Sequence, residues 1–298
     1  MKTTTIRKNV ATKMENWLAT IGDVKLRDDV RKGITVSGGC IASMFLREQV
    51  NDYDVYLSDI DLVKRVALYY TKPFGEHIRV LDGREKSVYE KDFEYPEGGD
   101  AISIRTLKPN QIKLFVAGGG GFPVTRTNTD ELKYQPAYFS PNAISLTDNL
   151  QIVLRFYGNH EEVHRTFDFI HATNYFTFAD GLVTNVKALE SLLTKTLLYQ
   201  GSLYPLTSII RAKKFIKRGF NITAGEYLKI MFQISQLDLT DPDVLEEQLI
   251  GVDVAYFDLL VKILRERLTS RPDFGLSSAY LNEIIDRIFS DGDLTDYD

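Results

Sequence analysis

The chain has 298 residues, of which 44% are hydrophobic and 26% are charged, a balance ordinary for a globular protein with one large or two modest domains. Its formal net charge of −5 excludes an overall basic surface for nucleic acid, so a basic patch would have to be local. The single cysteine, Cys40, excludes an intrachain disulfide framework and a multi-cysteine zinc site.

The first residues, MKTTTIRKNVATKMENW, lack the apolar core of a signal peptide. No run approaches the ~18 apolar residues of a membrane helix. We therefore expect a protein without a membrane partner, placed in a reducing compartment such as the cytoplasm.

Residues 1–183 alternate between helical and strand patterns. Helical spacing runs from Val10 to Ile21, short apolar runs predict strands at Ile34–Val36 and Asp54–Leu57, and a helix is predicted over Asp59–Tyr70 with Ser58 or Asp59 as its N-cap. Further strand patterns follow at Ile78–Leu81, Ala101–Leu107, Gln111–Ala117, Gln151–Phe156 and Val163–His171.

Residues 184–298 change to a helical period of about 3.6. Four apolar stripes carry it, beginning at Leu189, Tyr227, Leu259 and Leu281. The sequence thus predicts an α+β fold, with a mixed-sheet head over residues 1–183 and a helical domain over residues 184–298.

One stretch of the head, GGCIASMFLREQVNDYDVYL, has the residues of a phosphate and metal site. Residues i and i+2 of a strand face the same side, so Asp52 and Asp54 would present two carboxylates that a divalent cation could bridge. Gly38 and Gly39 precede a predicted helix, where backbone N–H groups can approach a phosphate. The alternative is a solvated strand end. Asp59 and Asp61 repeat the D-x-D spacing, but at a helix start they are best explained as capping residues.

The same stretch resembles the head of the nucleotidyltransferases of the DNA polymerase β superfamily, especially the CCA-adding and poly(A) polymerase type. There, two small residues after the first strand are followed by Asp-x-Asp on the second. The resemblance implies Mg²⁺ (or Mn²⁺) bound by Asp52 and Asp54, and ATP or another NTP held by Gly38 and Gly39. The CCA-adding pattern has an Arg-Asp pair where this chain has Ala42 and Ser43; Ser43 could supply a hydroxyl to the phosphates instead.

The run NAISLTDNLQIVLRFYGNHEEVHRTFDFIHATNYF is also similar to bacteriophage proteins with nucleotidyltransferase-like heads, and this resemblance implies the host cytoplasm as the location. The superfamily often carries a third acid on a later strand, and Asp168 in VHRTFDFIHATNYF is the candidate for a catalytic, metal-binding residue. The alternative for Asp168 is an ion pair with Arg155 or Arg165. The nearby His160 and His164 could suggest zinc, but H-x-x-x-H needs a helix and we predict loop and strand there.

A basic segment, GSLYPLTSIIRAKKFIKRG, is predicted to form a helix with one positive face. In the superfamily, a helix after the head often supplies Lys or Arg to the triphosphate, and these side chains suit phosphate. A solvated helix face is the equal alternative. The candidate nucleotide-binding residues of this helix are Arg211, Lys214, Lys217 and Arg218.

The function predicted from these features is metal-dependent transfer of a nucleoside monophosphate from an NTP to an acceptor hydroxyl, with an RNA or tRNA 3′ end ranked first by resemblance. One alternative is a non-catalytic binding or structural protein, including a virion-associated one, that keeps the fold. Another is a toxin-like nucleotidyltransferase. Many folds host unrelated functions, so the residues of the site decide between them.

Overall fold

The computed structural model describes residues 1–87, 104, 107–117, 121–124, 133–239, 241–249 and 282. Its helices of five or more residues are α1 Thr3–Leu18, α2 Val24–Gly33, α3 Gly39–Leu46, α4 Ile60–Thr71, α5 His160–His164, α6 Val186–Thr194, α7 Pro205–Lys217, α8 Ala224–Ile234 and α9 Pro242–Leu249. Its strands are β1 Ile34–Ser37, β2 Tyr53–Leu57, β3 Ile78–Asp82, β4 Ile112–Val116, β5 Phe122–Pro123, β6 Pro136–Ser140, β7 Ala143–Leu146, β8 Leu150–Tyr157, β9 Tyr175–Thr177, β10 Gly181–Val183, β11 Thr196–Leu197 and β12 Asn221–Ile222.

Eight strands form one mixed sheet in the order β10-β9-β1-β2-β8-β7-β6-β5. β1 lies antiparallel to both β2 and β9, whereas β2 and β8 are parallel. β3 and β4 form a separate antiparallel pair. β1 and β2 are central, so their ends lie where several segments of the chain meet.

The two faces of β1 and β2 differ in chemistry because successive side chains point to opposite sides of a strand. Ile34, Val36, Val55 and Leu57 are at most 1% exposed and belong to the main core, together with apolar residues of α1, α3 and α4. The other face carries the alternate residues of the same strands, which are Thr35, Ser37, Asp54 and Tyr56. We call it the polar face.

Helix α4 begins as the sequence predicts. Asp59 is its N-cap and accepts a hydrogen bond from the Leu62 backbone N–H, with an Oδ1–N distance of 2.8 Å. Asp61 lies in the first turn and pairs with Arg84. The second D-x-D is thus a helix start, as predicted.

The predicted fold class, an α+β fold with a mixed-sheet head, is confirmed. The strands predicted at Ile34–Val36, Asp54–Leu57, Ile78–Leu81, Gln111–Ala117 and Gln151–Phe156 are present within one or two residues. Most of the predicted strand 101–107 and the apolar stripes that begin at Leu259 and Leu281 lie outside the described residues.

The strand predicted over Val163–His171 is wrong. Val163 and His164 are instead the last two residues of helix α5. Phe169 forms an isolated β-bridge with Tyr199, and Ile170–Ala172 is a single 3₁₀ turn. The apolar residues fit a strand pattern, but Asn159 caps a helix that the pattern does not reveal. Its Oδ1 accepts hydrogen bonds from the Glu161 and Glu162 N–H groups, and the Glu162 carboxylate accepts one from the Asn159 N–H.

The chain divides into two compact units, Met1–Gln200 and Gly201–Asp298. The first contains the mixed sheet and α1 to α6, and the described part of the second contains α7 to α9. The boundary predicted at 183/184 stays a prediction. No helix among the described residues is both long and apolar enough to cross a membrane.

Candidate functional site

The glycine turn between β1 and α3 requires a glycine at position 38. Gly38 has φ 97° and ψ −149°, a conformation that residues with a Cβ rarely adopt. A Cβ atom at this position would also lie 3.1 Å from Oδ2 of Asp54. Gly39 begins α3 with open space around it. The turn therefore brings backbone at a helix N-terminus next to a carboxylate.

Asp54 is the second residue of β2, and Asp52 lies one residue before the strand. The Tyr53 backbone N–H donates to the Asn149 carbonyl at 2.7 Å, which fixes the start of β2. Asp54 is half-buried and lies opposite Gln151 of β8, whereas Asp52 is exposed. Burial chiefly, and the Asp54 charge in addition, raise the pKa of the Cys40 thiol, so Cys40 stays a protonated, packed residue.

The donor set at the turn suits a magnesium ion that is shared with a substrate. Magnesium commonly takes one or two protein carboxylates and completes its shell with water and substrate phosphates. Asp52 and Asp54 are the pair that the sequence predicts for this role, and Gly38 keeps free of a Cβ the position 3.1 Å from Oδ2 of Asp54. Across the described ranges, no group of three or more His, Cys, Asp or Glu side chains is placed to hold a metal.

The third predicted carboxylate, Asp168, is not grouped with Asp52 and Asp54 in this way. Asp168 is 8% exposed, and its backbone carbonyl accepts a hydrogen bond from the Gln200 N–H at 2.9 Å. Its neighbour Phe167 contacts Tyr56 of β2, with ring centroids 5.8 Å apart. The segment thus packs against the polar face of β2, while the metal role of Asp168 stays a prediction.

A histidine that sequence reasoning did not assign to the site lies beside the glycine turn. The Nε2 atom of His164 is 2.9 Å from Oγ of Ser37, the residue before Gly38. Ser37 is fully buried, and its hydroxyl is also 2.9 Å from the Asn174 carbonyl and 3.2 Å from the Ala172 carbonyl. Carbonyl oxygens only accept hydrogen bonds, so the Ser37 hydroxyl donates its proton to them and must accept a hydrogen bond from His164. We therefore assign the Nε2–H tautomer to His164.

Burial, with a smaller contribution from His160, lowers the pKa of His164 to about 4. The imidazole is therefore neutral near pH 7 and acts as a hydrogen-bond donor to Ser37. The Gly38 N–H also donates to the Ala172 carbonyl, at 3.1 Å. Together these bonds tie the glycine turn to α5 and to the segment that precedes β9.

Two further rings complete the polar face. His160, the first residue of α5, stacks on Tyr175 of β9 with ring centroids 4.1 Å apart and an angle of 9° between planes. His164 meets both rings nearly edge-on, at 6.0 Å from His160 and 5.7 Å from Tyr175. The sequence signal for this arrangement is the N-cap pattern Asn159-x-x-Glu162, which places His160 at a helix start.

The sequence argument against a zinc site at His160 and His164 rests on a wrong premise, because both residues lie on helix α5. Their rings are nevertheless engaged with each other, with Tyr175 and with Ser37. The described residues offer no third His, Cys, Asp or Glu to complete a metal group there.

The remaining predicted nucleotide-binding residues lie in two places. Ser43 is in the second turn of α3 and is 5% exposed, so its hydroxyl is not at the helix start with the glycines. The predicted basic helix is confirmed as α7, in the second unit. Lys214 and Lys217 are exposed on it, and Arg211 and Arg218 are half-buried. Their phosphate-binding role stays a prediction.

A family model described as "Gabija anti-defense 2 family protein" matches residues 8–195, which include the mixed sheet and all of the polar face. A curated relative, "Gabija anti-defense 2" of Bacillus phage SPbetaL7, is 20% identical in an alignment of 285 residues that covers 92% of this chain and 57% of the relative. The chain thus spans little more than half the length of that relative.

Solved structures of CCA-adding enzymes are also similar to the chain. The Thermotoga maritima CCA-adding enzyme complexed with tRNA is 13% identical, with a TM-score of 0.37, over 92% of this chain and 59% of the enzyme. A CCA-adding enzyme in complex with ATP is 14% identical, with a TM-score of 0.40, over 92% of this chain and 57% of the enzyme. Similarities this low do not transfer a function.

Proposed function

The chain belongs to the Gabija anti-defense 2 family, and from this premise we propose that it counteracts the Gabija defence as a metal-dependent nucleotidyltransferase. A phage relative supports a phage-encoded protein that works in the cytoplasm of the infected bacterium. The observation that carries the catalytic part is the approach of Asp54 to the glycine turn, where Oδ2 lies 3.1 Å from the position of a Cβ on Gly38.

The pairing of these two groups suits a nucleoside triphosphate. Backbone N–H groups at the start of α3 attract phosphate oxygens, and Gly38 permits their close approach. Two carboxylates beside a phosphate would repel it, so Asp54 and the exposed Asp52 favour a cation between them and the substrate. Magnesium bound there would neutralise phosphate charge and stabilise the transition state.

In the proposed reaction, the oxygen of an acceptor hydroxyl attacks the α-phosphorus of the NTP in line with the bond to the leaving group. The P–O bond to the β-phosphate breaks, pyrophosphate leaves, and the hydroxyl proton passes to solvent. The backbone N–H groups that follow Gly38, at the start of α3, bind and orient the triphosphate. Asp168 is a further candidate for a contact with the bound nucleotide and its metal.

An RNA or tRNA 3′ end is the first acceptor to test. Purified chain, α-labelled NTPs, Mg²⁺ and short RNAs would be incubated, and labelled RNA would be resolved on gels. We expect Asp52→Asn and Asp54→Asn each to lower transfer by roughly a hundredfold or more, since metal-assisted charge stabilisation contributes several kcal/mol. Asp61→Asn is the matched control, because Asp61 belongs to the other D-x-D and pairs with Arg84. If Asp52→Asn and Asp54→Asn both transferred label as well as Asp61→Asn and the wild-type chain, the proposal would be overturned.

The second candidate is a non-catalytic anti-defence protein that binds its target through the same fold. The presence of Ala42 and Ser43, where the CCA-adding pattern has an Arg-Asp pair, favours it. Phage plating on bacteria that carry the Gabija defence separates the two. If the Asp52→Asn/Asp54→Asn double variant still protects the phage from the defence, the binding protein is supported. If the double variant no longer protects the phage, catalysis is supported. A toxin-like enzyme would instead arrest growth of cells without the defence, in a manner that depends on Asp54.

A further inference from the structure

We propose that the stack of His160 on Tyr175 is the platform on which the base of the nucleotide rests. This inference rests on the proposed function, because it places the base of the same NTP whose phosphates lie at the glycine turn. It adds a binding subsite formed by α5 and β9.

The stack lies on the same face of the sheet as Asp54. Tyr175 pairs with Ser37 across β9 and β1, so their side chains share a face. β1 and β2 pair Val36 with Val55, and the next step of this antiparallel register places Ser37 beside Asp54. Tyr175 and Asp54 are therefore two strand spacings apart, about 10 Å. A nucleoside triphosphate can reach from one to the other.

The stack presents a ring of the right kind outward. Tyr175 is 8% exposed, whereas His160 is half-buried, so the imidazole is the more accessible ring of the stack. The planes are nearly parallel, and a purine or pyrimidine could add a third layer. Aromatic side chains bind bases in this way with little preference between bases, because every base has a π face.

The charges beside the stack favour the base of the nucleotide there, rather than its phosphates. Glu161 and Glu162 follow His160 and are both exposed, so a phosphate there would meet two carboxylates. The glycine turn offers backbone N–H groups instead. An NTP that reaches from the stack to the glycine turn thus has one favourable direction, with its base at α5 and its phosphates at α3.

The platform is held in place relative to the turn. His164 contacts both stacked rings edge-on and bonds to Ser37, the residue before Gly38. The Asn159 capping box fixes the start of α5, and the Gly158 N–H donates to the Leu57 carbonyl of β2 at 2.8 Å. Little reorganisation would be needed for base and phosphates to be bound together.

The test compares two ligands that differ by the nucleoside. ATP and inorganic tripolyphosphate would each be titrated into the full chain with Mg²⁺ by calorimetry. We expect His160→Leu to weaken ATP binding roughly tenfold, within the range for one base–aromatic stack, and to leave tripolyphosphate binding unchanged. His160→Phe should keep ATP binding, because it restores a ring.

His77→Leu is the matched control, since His77 also stacks on an aromatic ring of the first unit, Phe122, at 5.4 Å. It should change neither ligand. If His160→Leu left ATP binding intact, or weakened both ligands equally, the platform would be overturned while the proposed function stood. If the wild-type chain bound neither ligand and transferred no label, the proposed function would fail, and the platform with it.

Discussion

The two faces of the central strands β1 and β2 are built from adjacent residues but have opposite chemistry. On one face, Val36 and Leu57 are fully buried among apolar side chains of α1, α3 and α4. On the other, Ser37 and Asp54 meet the glycine turn, and the rings of α5 and β9 lie beside them. A shift of one residue in either strand would exchange the two faces, so the core also fixes the position of every polar-face residue.

Stability and the proposed chemistry are located on opposite faces of these strands. The apolar face resembles any α+β core, and its residues contribute by burial and packing. The polar face holds the Asp54 carboxyl group, a Gly38 in a conformation that only glycine adopts readily, and a histidine kept neutral by burial. Groups of this kind are concentrated at functional sites, in keeping with the proposed role of this face in ligand binding. Substitutions should therefore separate the two faces by their effects on unfolding and on NTP binding.

The largest expected effect is a loss of stability from the apolar face. Leu57→Ala removes a side chain with 0% exposure and should lower the free energy of unfolding by about 2–5 kcal/mol. Leu193→Ala is the same change at a residue that is 85% exposed, and it should cost less than about 0.5 kcal/mol. Denaturant unfolding followed by circular dichroism measures both.

Asp54→Asn, on the polar face, should have the opposite pair of effects. Leu57→Ala should retain NTP binding per folded molecule, whereas Asp54→Asn should lose binding with little change in stability. If Leu57→Ala cost no more than Leu193→Ala, the division of roles between the faces would be wrong.

The glycine turn offers an intermediate effect with a control one residue away. Gly38→Ala adds a Cβ to a residue whose φ is 97°, and this Cβ lies next to Asp54. The change should therefore lower the free energy of unfolding by about 1–3 kcal/mol. It should also weaken tripolyphosphate binding. Gly39→Ala lies in the helix with open space around it and keeps its N–H, so stability should be unchanged or slightly raised. Unfolding and calorimetry on both variants test this, and equal effects would refute the special role of Gly38.

The proposed phosphate and metal residues all come from one short stretch of sequence. The spacing of Gly38, Gly39, Asp52 and Asp54 is local, and period-two and capping patterns correctly predict β1, β2 and α4 around it. Such patterns indicate which residues are buried and where helices and strands begin, and this stretch contains both kinds of signal.

The other half of the polar face could not be predicted in this way. Val163–His171 alternates like a strand, but the capping box at Asn159 and the bond from His164 to Ser37 hold it as a helix and a turn. That bond joins residues 127 positions apart, and periodicity carries no information about such a pairing. The stack of His160 on Tyr175 is likewise a product of tertiary packing.

A change at His164 should alter how the stability of the chain depends on pH. The pKa of His164 is lowered to about 4 in the folded chain, chiefly by burial, whereas an unfolded histidine titrates near ~6.5. Between these values the unfolded chain binds a proton at this site that the folded chain excludes. Stability should therefore fall as the pH is lowered from about 6.5 to 4, and this contribution should level off below about 4. His164→Gln, which keeps a donor for Ser37, should make the decline shallower in urea unfolding at pH 7 and pH 5. A wild-type and a His164→Gln chain that decline in parallel would mean that His164 is not held neutral beside the glycine turn.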